Sequence, residues 1–234
     1  MSARPAAERR ADLLELYHRL DRDWVCPLKE SRTSVVFGSG NADADLMFVG
    51  EAPGANEDRE GKPFVGRAGQ LLDTLLLEIG LERSDAFIAN VLKCRPPGNR
   101  DPQPHEIEEC TPHLMRQVEL IEPKVICTLG NFALKLLSGS PQGITRVHGT
   151  PQAREIGGRS LVLYPLFHPS AALRATAVLE LLRADVARLP ELLAQPGSDA
   201  APAEAAAPAE APAGGEATDG PPGSPGGAQL DFFG

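Results

Sequence analysis

Glu51, Asn90 and His168 each stand at the end of an apolar run: Leu46-Met47-Phe48-Val49-Gly50, Phe87-Ile88-Ala89, and residues 161–167. A carboxylate can hold or deprotonate a water, and a primary amide can donate and accept at once. An imidazole can donate a hydrogen bond to an oxygen that is gaining negative charge. Phe64, in Gly61-Lys62-Pro63-Phe64-Val65-Gly66, adds a flat apolar face within reach of the first run. Taken singly, Asn90 also reads as a strand-end cap, His168 as a hydrogen-bonded loop residue and Phe64 as a core aromatic. As a set they suit a planar heterocycle with a hydrogen-bonding edge.

The elements that must position these side chains follow from periodicity. Residues 46–49, 87–92, 125–129 and 161–167 read as strands, the first of them buried on both faces and running into a Gly/Pro-punctuated turn. Helical stripes cover 6–23, 68–79, 104–121, 132–137 and 171–189, while 31–41, around Val35-Val36-Phe37, reads as a short edge strand or an extended loop. Strands alternating with helices predict a three-layer α/β/α fold on a central, mainly parallel four-stranded sheet, formed by residues 1–193. The carboxyl ends of parallel strands share one edge, where ligands bind in such sheets. Glu51, Asn90, Gly130 and His168 are therefore expected in one crevice.

Several segments carry a resemblance at once. Gly50-Glu51-Ala52-Pro53-Gly54, Gly61-Lys62-Pro63-Phe64-Val65-Gly66, the run Asn90-Val91-Leu92-Lys93-Cys94-Arg95-Pro96-Pro97-Gly98-Asn99-Arg100, and His168-Pro169-Ser170 closely resemble the family 4, iron–sulphur type uracil-DNA glycosylases. The match runs in that family's order and spacing from about Cys26 to Leu189. It implies removal of uracil from DNA by hydrolysis of the N-glycosidic bond, on a base flipped out of the stack, by a chain acting as a monomer. By the resemblance, Phe64 stacks on the uracil, Asn90 reads its Watson–Crick edge, and His168 donates to O2 as charge develops on the departing base.

Related glycosylases carry an aspartate at the position of Ala52, a substrate-side residue here, so Glu51 becomes the candidate to hold the attacking water. Glu57 takes the position that the family uses against the thymine methyl group. Ser170 and the amides around Gly54 would meet phosphates, with Lys62, Arg95, Arg100 and Arg174 nearby. Leu173 stands near the place where relatives push a leucine into the duplex. A sister subfamily that cross-links to the abasic sugar carries an arginine-rich insertion before its histidine; Leu166-Phe167-His168 has none.

Cys26, Cys94 and Cys110 match three cluster ligands of the family, and the missing first cysteine falls on Asp23. A 4Fe–4S cluster is usually held by four thiolates. A carboxylate at Asp23 could complete it, or the cluster is labile, three-iron or absent. Its implied role is structural, pinning the N-terminal segment to the Cys94–Cys110 region. Cys127, inside an apolar strand, reads as core packing.

The net charge of −9 is unevenly spread. From Glu191 onward there are seven acidic residues and no Lys or Arg; without them 23 basic residues face 25 acidic ones. A near-neutral body with clustered arginines can still bind a polyanion. No apolar run reaches membrane-spanning length and the first ten residues lack an apolar core, so no signal peptide and a cytoplasmic location are expected.

Residues 194–228 are rich in Ala, Pro, Gly and Glu without periodicity and read as a linker. The end, Gln229-Leu230-Asp231-Phe232-Phe233-Gly234, resembles the short peptide by which bacterial repair proteins bind the sliding clamp. Ala52 and Asp23 depart from the family pattern. They motivate a second reading, a DNA-binding or scaffold protein of the same fold with little activity.

Overall fold

A computed structural model of the chain describes residues 5–195. All of them fall in the first of two units, Met1–Ala203 and Glu204–Gly234. The clamp-like peptide and all but the first two residues of the linker lie outside the described residues. No helix among the described residues is long and apolar enough to cross a membrane.

The sheet is mixed, with six strands in the order β1-β3-β2-β4-β6-β5. Its middle is the parallel set read from the sequence: β3 (Ala86–Asn90), β2 (Leu46–Gly50), β4 (Val125–Leu129) and β6 (Arg159–Leu166). Two antiparallel edges enlarge the expected four strands. β1 (Ser39–Gly40) pairs with β3, and β5 (Gln152–Ile156) pairs with β6. β5 has no apolar run because only one of its faces is covered: Gln152 and Arg154 are half-buried on one side, and Ala153 and Glu155 are exposed on the other. Gly157 and Gly158, with φ of 60° and 70°, make the two-residue turn that returns the chain into β6.

Every residue of β2, β3 and β4 is buried, and alternate side chains serve opposite cores. Met47, Val49, Phe87, Ala89 and Ile126 point to one side, where α1 (Ala6–Arg22) and α4 (Pro104–Ile121) bring Leu13, Leu16, Leu20, Leu114 and Val118. Leu46, Phe48, Ile88, Val125 and Cys127 point to the other, against Leu72, Leu75 and Leu76 of α3 (Arg67–Glu78) and Leu182 of α8 (Thr176–Val186). Burying such a side chain is worth about 1.5–3 kcal/mol, so these strands are stable only with helices on both faces. Cys127 is core packing, as its strand predicted.

The final helix departs from its sequence reading. In place of one helix over 171–189 there are α7 (Pro169–Ala172), α8 and α9 (Leu189–Ala194); α7 and α9 each begin with a proline in the first turn. Ala175 is extended between α7 and α8, which leaves Leu173 exposed at the turn. Three further α-helices lie among the described residues: α2 (Ala55–Glu60), which no sequence signal marked, α5 (Asn131–Ser138) and α6 (Ile144–Val147).

β2 is the switch point of the topology. The chain leaves it through α3 to β3 on one side, and returns through α4 to β4 on the other. Loops at the carboxyl ends of β2 and β4 therefore diverge, opening a crevice at that edge.

Candidate active site

The crevice is a cleft of about 630 Å³, lined by Glu51, Ala52, Gly54, Glu57, Phe64, Asn90, Gly130, His168 and Ser170, among others. All seven residues read from the sequence as catalytic or substrate-binding are in it. Main-chain bonding sets their spacing. Gly50 pairs with Asn90 in the β2–β3 register, and the ladder continues past both strands through Val91 N–H to Gly50 O (2.9 Å) and Leu92 N–H to Glu51 O (3.0 Å). Glu51 and Asn90 are thereby fixed side by side.

Gly50 has a steric reason to be glycine. A β-carbon there would come within 2.4 Å of Asn90 Oδ1 and 2.7 Å of Phe64 Cζ. The amide and the phenyl ring both lean over this bare backbone.

Phe64 is buried and takes φ of 52°, a left-handed conformation that non-glycine residues rarely adopt. The surroundings hold it there. Arg83 donates to Phe64 O (3.1 Å) and to Pro63 O, and is itself oriented by Asp73 (3.0 Å). Glu57 Oε1 accepts from Val65 N–H (3.1 Å) and Gly66 N–H (3.0 Å) at the amino end of α3, where a carboxylate also meets the helix dipole favourably. Glu57 lines the cleft, and one of its oxygens is committed to shaping the Phe64 loop.

His168 caps α7. Its Nδ1 accepts from the Ser170 N–H at 3.1 Å, which assigns the ring proton to Nε2. Burial, with the Arg174 charge adding to it, pulls the imidazole down to about 4, so it is neutral across the physiological range. The Phe64 and His168 rings lie 5.6 Å apart between centroids, tilted by 29°, an offset stack. Glu51 moves the other way: burial first, and the charge of Asp101 second, push its carboxyl up to about 7.

The basic residues near the cleft differ in availability. Arg100 forms a bidentate pair with buried Glu106 (2.9 and 2.5 Å), and Glu106 also accepts from Gln103 N–H (2.8 Å). Arg100 thus braces the proline-rich loop, a use its sequence context did not reveal. Arg95 donates to Asn99 Oδ1 (2.7 Å), and Arg174 to Ser170 O (3.2 Å).

The cysteine set lies apart from the cleft. Cys26, Cys94 and Cys110 are buried and free. Cys26 is held down to about 7 by the hydrogen bond from the Cys94 thiol, against burial, and its sulphur also accepts from Leu28 N–H (3.3 Å). The same thiol–thiol bond and burial push Cys94 up, and burial pushes Cys110 up to about 11. Arg32 donates to Cys94 Sγ (3.1 Å) while its guanidinium lies 5.8 Å from the Trp24 ring centre.

Three thiols thus fit the donor chemistry of an iron–sulphur cluster. The fourth position does not: Asp23 is exposed at the end of α1, with its N–H donating to Arg19 O (2.9 Å). Among the described residues no group of three or more His, Cys, Asp or Glu is arranged to hold a metal ion.

Residues 37–188 match the model of the uracil DNA glycosylase superfamily. A type-4 uracil-DNA glycosylase of Sulfurisphaera tokodaii is 44% identical over 176 residues, covering 73% of this chain and 80% of the relative. One of Thermotoga maritima is 47% identical over 167 residues, covering 70% and 85%. A more distant relative, a type-5 uracil-DNA glycosylase of Pyrobaculum aerophilum, is 28% identical over 203 residues, covering 76% and 84%. With a cleft built at the carboxyl edge of a parallel sheet and a family match spanning most of the described residues, the chain belongs to the type-4 family of the uracil-DNA glycosylase superfamily.

Proposed function

We propose that this protein is a monofunctional uracil-DNA glycosylase, which takes uracil extruded from DNA and hydrolyses its N-glycosidic bond. The observation that carries the reading is the convergence of Phe64, Asn90, His168 and Glu51 on one cleft of nucleotide size. Phe64 is largely buried but lines the cleft beside the His168 ring. A pyrimidine resting there shares roughly the plane of the imidazole, so that Nε2–H can point at O2 on its rim. Asn90 offers a donor and an acceptor to the ring edge. As the glycosidic bond breaks, electrons pass to the base, and a fixed neutral donor stabilises the developing oxyanion without itself transferring a proton. The sugar becomes oxocarbenium-like, and water held by Glu51 attacks it.

The test is excision of uracil from single- and double-stranded oligonucleotides by the purified full chain. Release of uracil with an abasic product is expected. A protein that shifts the DNA but leaves the base in place is the scaffold alternative. Iron and sulphide counted on the same sample test the cluster: Cys26, Cys94 and Cys110 would supply three thiolates, and the remaining corner would fall to a group other than the exposed Asp23. The cluster's part is structural, and a sample free of iron and sulphide removes it.

Glu51 must be ionised to accept a proton from water. Its elevated pKa therefore predicts a rate that climbs with pH through about 7 and then levels. The neighbouring charge of Asp101 raises that pKa, so Asp101→Asn should move the rising limb to lower pH, by less than burial contributes. A flat profile between about pH 6 and 8 would remove Glu51 from this role.

The protein would work in the cytoplasm, delivered to replicating DNA by its tail. A chain of some thirty-odd residues that behaves as a random coil would reach roughly 30–35 Å, and such a tether would raise the local enzyme concentration to the order of mM. Deleting Gln229 to Gly234 should abolish co-elution with the bacterial sliding clamp and leave excision from free oligonucleotides intact. Co-elution that survives the deletion refutes the tail's role.

A further inference from the structure

Lys93 has no exposed surface, and the chemistry assigned to the cleft makes no use of it. Its Nζ donates to the main-chain carbonyl of Asn90 (2.9 Å) and to Gln117 Oε1 on α4 (2.6 Å). Gln117 is also fully buried, and donates through Nε2 to Phe37 O (2.9 Å). Lysine is almost never fully buried unless its amine is paired, because an unpaired polar group out of water is costly. Two N–H donors satisfy the two acceptors, so the arrangement serves with either protonation state of the amine.

The acceptor on one side is significant. Asn90 is the last residue of β3, where the regular ladder ends, and the orientation of the Asn90–Val91 peptide helps set the direction in which the Asn90 side chain leaves the backbone. On the other side Gln117 lies seven residues, two helical turns, after Cys110 on α4. Lys93 therefore spans from the end of β3 to the helix that carries Cys110.

We propose that Lys93 is a positioning residue for base recognition: it fixes the Asn90–Val91 peptide against α4, and so holds the Asn90 amide at the angle that reads uracil. The proposal rests on the reading of Asn90 as the group that contacts the base.

The test is a double-mutant cycle in the full chain, using Lys93→Met, Asn90→Ala and the pair. Single-turnover excision and inhibition by free uracil are followed, with thermal melting, iron content and affinity for uracil-free DNA measured on the same samples. Lys93→Met is expected to lower kcat/KM by about tenfold, to weaken inhibition by free uracil to a similar degree, and to leave affinity for uracil-free DNA unchanged. In the Asn90→Ala background the same substitution should cost less than about twofold, because the side chain it positions is gone. Equal losses in both backgrounds would make Lys93 a stability residue only and overturn the proposal. Undiminished uracil selectivity in Asn90→Ala alone would instead overturn the reading of Asn90, and the proposal with it. If Lys93→Met does not fold, Gln117→Met keeps the lysine but cuts its tether to α4. The same non-additivity with Asn90→Ala is then expected, and additive losses refute it.

Discussion

His168→Ala should slow uracil excision by ~10²–10³-fold in kcat while changing KM for DNA only slightly, a loss of about 2.7–4 kcal/mol confined to the transition state. The size follows from the state of the ring. Its Nδ1 is occupied by the Ser170 N–H, and burial keeps it uncharged, so the single remaining proton is on Nε2 and is already aimed when charge appears on the base. A preorganised neutral donor stabilises the anion more than the uncharged substrate. Removing it therefore costs rate rather than binding. The low pKa adds a second expectation: the limb near pH 7 set by Glu51 should be the only one between about pH 6 and 8, and His168→Ala should leave its position unchanged. Matched losses in kcat and in DNA affinity would make His168 a binding residue instead.

Asn90→Asp should reduce excision of uracil by ~10²-fold or more and narrow the preference for uracil over cytosine. A site that hydrogen-bonds its substrate discriminates strongly because mismatched partners leave buried polar groups unpaired. Uracil presents a donor at N3 and an acceptor at O4, which an amide can satisfy together. An ionised carboxylate only accepts, so O4 would face a like charge, whereas the cytosine amino group would gain an acceptor. Steady-state rates on matched uracil and cytosine oligonucleotides measure this. An unchanged ratio would exclude Asn90 from base reading. Steric context fits this role: the amide oxygen and the Phe64 ring both occupy the space a side chain at Gly50 would need, so glycine there lets both pack on the backbone.

The edge that carries the cleft was legible because Glu51, Asn90 and His168 each follow an apolar run, and parallel strands put their carboxyl ends together. Leu46 to Val49 announces a strand buried on both faces, since an apolar run that short, ending in a Gly/Pro turn, is too brief for a buried helix. β5 was not legible: an edge covered on one face carries Arg154 and Glu155, and its best signal was the Gly157-Gly158 pair that turns it into β6. The break at Leu173 to Ala175 escaped for a related reason, because alanine, leucine and arginine all favour continuing the helix.

The supporting residues were hidden for a different reason. Arg83 and Lys93 act on main-chain carbonyls of Pro63, Phe64 and Asn90, and a carbonyl leaves no mark on the residue type that carries it. Arg100 resembled a phosphate ligand in its loop, and only the fold shows Glu106 occupying it. Cys26, Cys94 and Cys110, the ligands that the resemblance implied, are each buried, whereas Asp23 is on the surface at the end of α1.

The most direct measurement is a crystal structure of the full chain with a uracil-containing oligonucleotide, using His168→Ala to slow the reaction. The uracil should lie extruded in the cleft, with its ring about 3.5–4 Å from the face of Phe64 and its N3–O4 edge within hydrogen-bond reach of the Asn90 amide. A base bound elsewhere, or one that reaches neither side chain, would contradict the role assigned to this cleft.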